Sequence, residues 1–172
     1  MAHLTVRLYG DPVLRRIASP VDGVDEELIT LAADMIETMQ VENGIGLAAN
    51  QVGDLRRILV VNFDVESGGE GSTALVNPEI TAREGEMRSM EGCLSIPDVW
   101  DEIDRAARIA VTWTDLEGQE RTVELGGLHG AVVQHEVDHL NGVLFIDHLP
   151  AVRKMMLKGT LRQISRQAKE RM

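Results

Sequence analysis

The segment GLHGAVVQHEVDHL at residues 127–140 predicts a buried helix at the centre of the protein. Val132, Val133 and Leu140 make this segment apolar, which indicates that the helix packs inside the molecule. An Asn-Gly pair at 141–142 follows directly and is typical of a helix end. The rest of the chain is therefore expected to pack around this helix.

Two histidines on the central helix are spaced to hold one metal ion. His135 and His139 are four residues apart, so an α-helix places both rings on one face, one turn apart. Glu136 follows the first histidine and can reach a water on such an ion and take its proton. An exposed helix whose histidines have no function is the plainer interpretation, but a buried histidine pair needs a polar partner.

The single cysteine of the chain, Cys93, can be that partner. A lone cysteine is by itself most often a small buried hydrophobic residue. Together with His135 and His139, however, it makes three protein ligands and leaves the fourth position of a tetrahedral ion open, as in catalytic sites. One cysteine also excludes an intramolecular disulfide and a structural zinc module that needs two or more thiolates.

Outward from the central helix, the hydrophobic pattern predicts two more helices and several strands. One helix is expected over 25–42 with Asp25 as its cap, and a C-terminal helix, about 151–170, is expected after Pro150. The predicted strands lie at 57–63, at 74–78, where Pro78 is expected to end the strand, and at 107–114 and 120–125, which form a hairpin. We predict one domain over residues 1–172 of the α+β class, in which antiparallel or mixed β-sheets pack around the central metal-binding helix, with an N-terminal and a C-terminal helix.

Composition and charge exclude several classes of protein. The 172 residues are 44% hydrophobic, as in a globular protein rather than a disordered one. A net charge of −11 argues against a protein that binds DNA over its whole surface. No apolar run reaches the roughly 18 residues that a membrane span needs. The N-terminal segment has no apolar signal core, so we expect a cytoplasmic protein without membrane contact, and ESGGEGS at 66–72 predicts a surface turn.

The charge is divided unequally between the C-terminal helix and the rest of the chain. Residues 150–172 carry a net charge of +6 and contain every lysine, whereas residues 1–149 carry −17. A block of this kind indicates an interaction segment, although a solvated helix face is the plainer interpretation from charge alone.

Three short segments resemble the signature segments of the peptide deformylases. They are GIGLAANQ at 44–51, which alone would indicate only a tight turn, EGCLS at 91–95 and QHEVDH at 134–139. Their order and separations match the family. The segments GDPVLR at 10–15 and NGVLFID at 141–147 extend the resemblance over the whole chain.

The resemblance implies a metal-dependent hydrolase that removes the N-formyl group from the formylmethionine of newly made polypeptides and releases formate. It implies that Cys93, His135 and His139 bind one divalent ion. The usual ion in this family is Fe2+, and zinc, nickel or cobalt can occupy the site.

The resemblance also implies roles around the substrate. Glu136 is implied as the general acid and base, and Gln51 and the backbone N–H of Leu94 as donors to the formyl oxygen while it becomes an oxyanion. The backbone at Gly46 is implied to pair with the peptide. The pocket for the methionine side chain is implied to be lined by Ile45, Glu91, Leu128, Ala131, Val132 and His135.

Four positions differ from the pattern expected of the family. Asn50 stands where proline or threonine is common, and Ala131 is smaller than usual, which would widen the methionine pocket. Trp100 and Asp101 occupy a stretch where relatives often have a basic residue near the peptide. The resemblance therefore does not fix the contacts beyond the methionine.

Asp138 lies within the helix motif but off the face that carries the ligands. We expect it to pair with Arg105 and to orient the helix from outside the metal site. The other histidines, His3, His129 and His148, belong to no motif and are expected to have no role in the site.

The C-terminal helix is implied to bind the ribosome, since relatives use a basic helix of this kind to dock near the exit of the nascent chain. Two other functions remain open, an endopeptidase that uses the HExxH motif and a non-catalytic, ribosome-associated metal-binding module. Cys93 disfavours the first, because such enzymes usually take a third His or Glu ligand. An intact Glu136 disfavours the second, because binding alone needs no general base.

Overall fold

Seven β-strands and three α-helices are formed by the residues that the computed structural model describes, 2–69 and 71–172. Met1 and Glu70 lie outside the described residues, and Glu70 belongs to the turn predicted at 66–72. The α-helices are α1 (Glu26–Val41), α2 (Gly127–Leu140) and α3 (Ala151–Arg171). The strands are β1 (Gly46–Ala48), β2 (Ile58–Asn62), β3 (Ser72–Glu84), β4 (Met87–Cys93), β5 (Ile96–Arg105), β6 (Arg108–Thr114) and β7 (Glu120–Gly126).

A five-stranded antiparallel sheet, in the order β1-β2-β3-β6-β7, lies between α1 and α2. Successive side chains of a strand point to opposite faces of its sheet. Ile58 and Val60 of β2 accordingly join the core cluster that packs on α1, whereas Leu59 and Val61 join the cluster that packs on α2. The segment 57–63 is a nearly continuous apolar run because its strand is buried on both faces.

A two-stranded sheet of β4 and β5 holds the cysteine between α2 and α3. The strands pair antiparallel, and a two-residue turn at 94–95 joins Cys93 to Ile96. Ile96 packs in a third core cluster with Leu161 and Ile164 of α3. The C-terminal helix is thereby attached to the hairpin that carries Cys93.

The three predicted helices and the α+β class are confirmed. Asp25 Oδ1 accepts a hydrogen bond from the N–H of Leu28 at 2.8 Å, so Asp25 caps α1 as expected. Asn43 follows this helix with a φ of 58°, a left-handed conformation that ends it. The helix α2 spans the predicted residues, and α3 begins directly after Pro150. Among the helices of residues 2–69 and 71–172, none combines the length and apolar character that crossing a bilayer requires.

The predicted end of the strand at 74–78 is wrong. β3 continues beyond Pro78 because a bulge between Val76 and Glu79 takes Asn77 and Pro78 out of register with β6, so the missing N–H of proline breaks no bond of that pairing. The segment 44–51 is not only a tight turn, since it includes β1. The strands β4 and β5 were not predicted, because their charged and apolar residues do not alternate regularly.

Candidate metal centre and active-site cavity

Three candidate ligands converge where the end of β4 meets α2. Cys93 Sγ lies 3.2 Å from Nε2 of His139, and that atom lies 3.3 Å from Nε2 of His135. A tetrahedral ion with bonds of about 2.0–2.3 Å holds its ligand atoms roughly 3.3–3.8 Å apart. The three donor atoms lie within 4.8 Å of one another, so they fit one divalent cation.

The protonation of the two histidines determines whether their rings can bind a cation. Burial and the adjacent His135 hold the pKa of His139 well below its usual value, so this ring is neutral and can offer a lone pair. Burial opposes a charge on His135 as well, but its hydrogen bonds with Cys93 and Glu91 raise its pKa well above the usual value. Since a ligand nitrogen must be unprotonated, a divalent cation that binds His135 would displace this proton.

Glu91 fixes the orientation of His135. Its Oε1 accepts a hydrogen bond from Nδ1 of His135 at 2.8 Å, which leaves Nε2 facing the other ligands. Arg105 donates to both oxygens of Glu91, at 2.8 and 2.9 Å. Burial acts to raise the pKa of Glu91, but the bonds from Arg105 and His135 lower it to about 2. Glu91 is therefore a carboxylate that binds the ring N–H of a metal ligand.

Asp138 and His148 extend this network towards the surface. Arg105 Nη1 lies 2.7 Å from Oδ2 of Asp138, which is the pairing expected from the sequence. The same oxygen lies 2.8 Å from Nε2 of His148, which is partly exposed. His148 was not predicted to belong to this network, because it lies beyond the end of α2 and no helical spacing links it to Asp138.

Glu136 is buried next to the ligands and, like Cys93 and His135, lines a cavity. Its Oε2 has no hydrogen-bond partner among residues 2–69 and 71–172. Burial raises the pKa of this carboxyl to about 7, although His135 acts in the opposite direction. A carboxyl that titrates near neutrality can both accept and donate a proton, which general acid–base catalysis requires.

Gln51 turns its amide NH2 group towards Cys93. Its Oε1 accepts the backbone N–H of Ala48 at 2.9 Å, and its Nε2 lies 3.1 Å from Oγ of Ser95 and 3.5 Å from Sγ of Cys93. Leu94 and Ser95 form the turn that follows Cys93. The contact of Ser95 with Gln51 was not predicted, since the position of Ser95 depends on a hairpin that the hydrophobic pattern does not reveal.

A cavity of about 440 Å³ opens beside these groups. Gly46 comes so close to Glu136 that a Cβ at this position would lie 2.7 Å from Oε1. A side chain at position 46 would therefore displace Glu136 or Val132. All residues implied to hold the substrate line this cavity: Ile45, Gly46, Glu91, Leu128, Ala131 and Val132.

The departures from the family pattern lie in different surroundings. Asn50 is buried outside the cavity lining, where its Nδ2 donates to the carbonyl of Arg16 at 2.8 Å. Trp100 lines the mouth of the cavity and is largely exposed. Asp101 points instead to α3, where its Oδ2 lies 2.7 Å from Nη2 of Arg153. Of the four positions, only Trp100 and Ala131 belong to the cavity.

Comparison with known proteins gives a consistent result. The chain matches the family model described as polypeptide deformylase over residues 3–155, a range that includes all three candidate ligands. It is similar to the peptide deformylase of Alkalilimnicola ehrlichii, with 43% identity over 98% of this chain and 94% of that protein. The peptide deformylase of Thermoanaerobacter pseudethanolicus is 48% identical over 86% of this chain and 89% of its own length.

Solved structures show the same likeness. The peptide deformylase from Thermus thermophilus superposes with a TM-score of 0.88 and 41% identity, over 96% of this chain and 99% of that one. Peptide deformylase 1B of Arabidopsis thaliana has a TM-score of 0.91 and 32% identity, over 98% and 94% of the two chains. The fold and the three signature segments thus lie within one matched region.

Proposed function

This chain belongs to the polypeptide deformylase family, and we propose that its cavity binds N-formylmethionyl peptides and hydrolyses their formyl group. The reaction adds water across the amide bond between the formyl carbon and the amino group, and it releases formate and a free amine. One observation carries this assignment: the three candidate ligands converge beside the buried carboxyl of Glu136, at the wall of a cavity of about 440 Å³.

Members of this family depend on a metal, and we propose that Cys93, His135 and His139 hold it here. When bound, a divalent cation supplies Lewis acidity, which lowers the pKa of water and polarises a carbonyl oxygen. The donor set of one thiolate and two imidazoles suits Fe2+ and Zn2+ rather than Mg2+ or Ca2+. We propose that the bound ion is Fe2+, with zinc, nickel or cobalt as the alternatives.

Metal analysis of anaerobically purified protein tests this choice. We expect iron, together with a loss of formate release after exposure to air, because a thiolate-ligated Fe2+ site oxidises readily. A zinc-containing protein whose rate is stable in air would contradict the choice of Fe2+.

Glu136 is proposed as the residue that moves the proton. This residue lines the cavity, and its carboxyl can accept a proton from the attacking water, then give it to the leaving amine. The amide NH2 of Gln51 and the backbone N–H of Leu94 are proposed to stabilise the oxyanion that forms at the formyl oxygen. Losing one such donor typically removes ~3 kcal/mol of transition-state stabilisation.

The substrate is proposed to enter along β1. This strand is at the edge of the five-stranded sheet, so the backbone near Gly46 can pair with an extended peptide. The methionine side chain would then lie against Ile45, Ala131 and Val132, which give the cavity apolar walls. Ala131 lies in the N-terminal half of α2, and its small side chain leaves additional room for the methionine side chain.

A comparison of two reactions tests the proposed function. We expect formate from formyl-Met-Ala-Ala and no cleavage of casein. Cleavage of casein without formate would instead support an endopeptidase that uses the HExxH motif. Metal binding without either reaction would support a non-catalytic metal-binding module.

We further propose that α3 docks on the ribosome near the exit of the nascent chain, which places the enzyme in the cytoplasm. Lys154, Lys158 and Arg162 are spaced four residues apart, so they share one face of this helix. With Arg15 they line a groove of about 420 Å³, and all three helix residues are exposed. A row of exposed cations of this kind attracts the phosphates of an RNA backbone.

Charge reversal tests this docking better than deletion of α3. The helix buries Leu161, Ile164 and Ala168 in the core, so its removal would also disturb the fold. The variant to compare with the native protein carries Lys154→Glu, Lys158→Glu and Arg162→Glu.

Co-sedimentation with ribosomes at low and high salt is the measurement. We expect the α3 variant to lose binding, and the native protein to lose it only as salt rises. A control with the same change in net charge carries Arg88→Glu, Arg108→Glu and Arg121→Glu, and it should keep binding. Equal binding of the native protein and the α3 variant would contradict the proposed docking.

A further inference from the structure

A path of hydrogen bonds leads from the surface to the candidate ligand His135, and the mechanism above gives no role to its outer end, His148. Nε2 of His148 lies 2.8 Å from Oδ2 of Asp138, and the same oxygen lies 2.7 Å from Nη1 of Arg105. Arg105 donates to both oxygens of Glu91, and Oε1 of Glu91 lies 2.8 Å from Nδ1 of His135. His148 is the most exposed member of this path, with a side chain that is 37% exposed.

The backbone that carries His148 is held in place independently of this path. His148 ends a short 3₁₀ helix, Phe145–His148. Phe145 is buried in the core cluster that attaches α3 to the β4–β5 hairpin. At the start of the short helix, Oδ2 of Asp147 accepts the N–H of Leu144 at 2.9 Å. The imidazole at its end is therefore presented from a fixed position, so its hydrogen bond limits the movement of its partner.

The same short helix also contacts His135 directly. The ring of Phe145 stacks on the imidazole of His135, with ring centroids 5.9 Å apart and an angle of 23° between the planes. This contact limits the tilt of the imidazole, whereas the bond from Nδ1 to Glu91 fixes the direction of Nε2. The two ends of the short helix are thus linked to one candidate ligand, one end by stacking and the other by the path of hydrogen bonds.

We propose that His148 is a positioning residue that holds Asp138 in place and, through the path of hydrogen bonds, aligns His135 for the metal ion. The proposal rests on the proposed metal site, because His135 must be a ligand. Burial acts to raise the pKa of Asp138, but the bonds from His148 and Arg105 lower it. Asp138 is therefore a carboxylate, and Nε2 of His148 donates to it.

Arg105 transmits the position of Asp138 to Glu91. Its side chain is 4% exposed, and it donates to Glu91 from Nε and Nη2 and to Asp138 from Nη1. Because the guanidinium is planar and rigid, a shift of Asp138 also moves the two nitrogens that hold Glu91. Oε1 of Glu91 is shared between Arg105 and His135, so the shift reaches the ring N–H of the ligand. Without His148, Asp138 loses one of the two donors to Oδ2 and gains this freedom.

Two substitutions separate the hydrogen bond of His148 from its bulk. His148→Leu keeps a side chain of similar size without a donor, whereas His148→Gln keeps an N–H donor at about the position of Nε2. The measurement is the rate at which cobalt-loaded protein releases Co2+ to an excess of chelator. We expect release about three- to tenfold faster in His148→Leu, below the roughly 10–100-fold effect of removing a direct partner of a ligand. Release from His148→Gln should occur at about the native rate.

The visible absorption spectrum of bound Co2+ gives a second readout, because it reports the geometry of the ligands. The spectrum should change in His148→Leu and remain native in His148→Gln. In an Asp138→Ala background, His148→Leu should add little to the rate of release, because the path is already broken at Asp138.

His3→Leu is the matched control for the loss of an imidazole. His3 is also partly exposed, at 47%, and its Nε2 lies 2.9 Å from Oε1 of Glu42. No side-chain hydrogen bond among residues 2–69 and 71–172 joins this pair to the path that leads to His135. His3→Leu should therefore leave the release of Co2+ and its spectrum unchanged.

The outcomes separate this inference from the metal site on which it rests. Native release of Co2+ in His148→Leu would overturn the positioning role and leave the metal site standing. Equally fast release in His148→Leu and His148→Gln would overturn the role too, because the hydrogen bond would then not be the cause. The same acceleration with and without Asp138 would also overturn it, since the path runs through that residue. Native protein that binds no Co2+ would overturn the proposed metal site, and this role with it.

Discussion

The helices α2 and α3 differ in where their polar side chains find partners. Of the 14 residues of α2, nine are buried, and these include the ionisable side chains of His135, Glu136 and His139. Of the 21 residues of α3, three are buried, although the helix carries seven basic side chains. The family model ends at residue 155, so it contains all of α2 and only the first turn of α3.

The polar groups of α2 are held by other parts of the same chain. Gln134 Nε2 donates to the carbonyl of Ala106, and Gln134 Oε1 accepts its N–H, both at 3.0 Å. Likewise, Glu91 binds His135, and Arg105 binds Asp138. Among the described residues, Arg153 is the one basic side chain of α3 with an ion pair, to Asp101, so the other basic side chains face solvent or a binding partner. A change in α2 should therefore alter catalysis or stability, whereas a change on the exposed side of α3 should alter neither strongly.

The strongest effect is expected from Glu136→Gln. This change keeps the size of the side chain but removes its ability to take and give a proton, so kcat should fall by about 10²–10⁴-fold. The metal content should remain, because Glu136 is not among the three converging ligands. Formate release and metal analysis on the same sample are the measurements, with exposed Glu124→Gln on β7 as the control. A rate within tenfold of the native one would remove Glu136 from the mechanism.

The next largest effect is expected from the buried network behind α2. Arg105→Ala leaves the buried Glu91 and the partly buried Asp138 without their shared cation, which should lower the free energy of unfolding by about 3–5 kcal/mol. Arg88→Ala is the matched control, because Arg88 also faces two carboxylates but is 66% exposed, and it should cost less than about 1 kcal/mol. Urea unfolding of both variants measures the difference. Equal losses would show that burial of the network contributes no stability.

A third effect concerns the contact between β1 and α2. In Gly46→Ala the new methyl group would lie 2.7 Å from Oε1 of Glu136 and 2.9 Å from Cγ1 of Val132. Glu136 must then move, and a displacement of this order at a catalytic group should lower kcat/KM by roughly 10–100-fold. Metal content should not change, since the three atoms nearest to the new methyl group belong to Glu136 and Val132 and not to a ligand. A native rate in this variant would mean that the position of Glu136 is not critical.

The difference between contacts local in the sequence and contacts between distant residues explains which features the sequence could predict. The helices follow from apolar spacing and from local signals such as Asp25, and these act within a few residues. The three ligands were identifiable because the signature segments are local too. The β4–β5 hairpin was not predicted, because its charged and apolar residues do not alternate regularly. His148 was not predicted to contact Asp138, because no helical spacing links the two residues.

The smallest effect is expected for Gly159 of α3 and concerns the free energy of unfolding. Gly159 lies in the middle of this helix, and a Cβ added there would meet nothing within 4 Å. Glycine in a helix interior is less favourable than alanine by roughly 0.5–1 kcal/mol, because the unfolded chain loses more freedom on folding. Gly159→Ala should therefore raise the free energy of unfolding by that amount and leave formate release unchanged. The same change from glycine to alanine should thus impair catalysis at position 46 and stabilise the protein at position 159. A loss of stability in the same urea titration would show that this side of α3 packs against the protein, and the distinction between the two helices would fail.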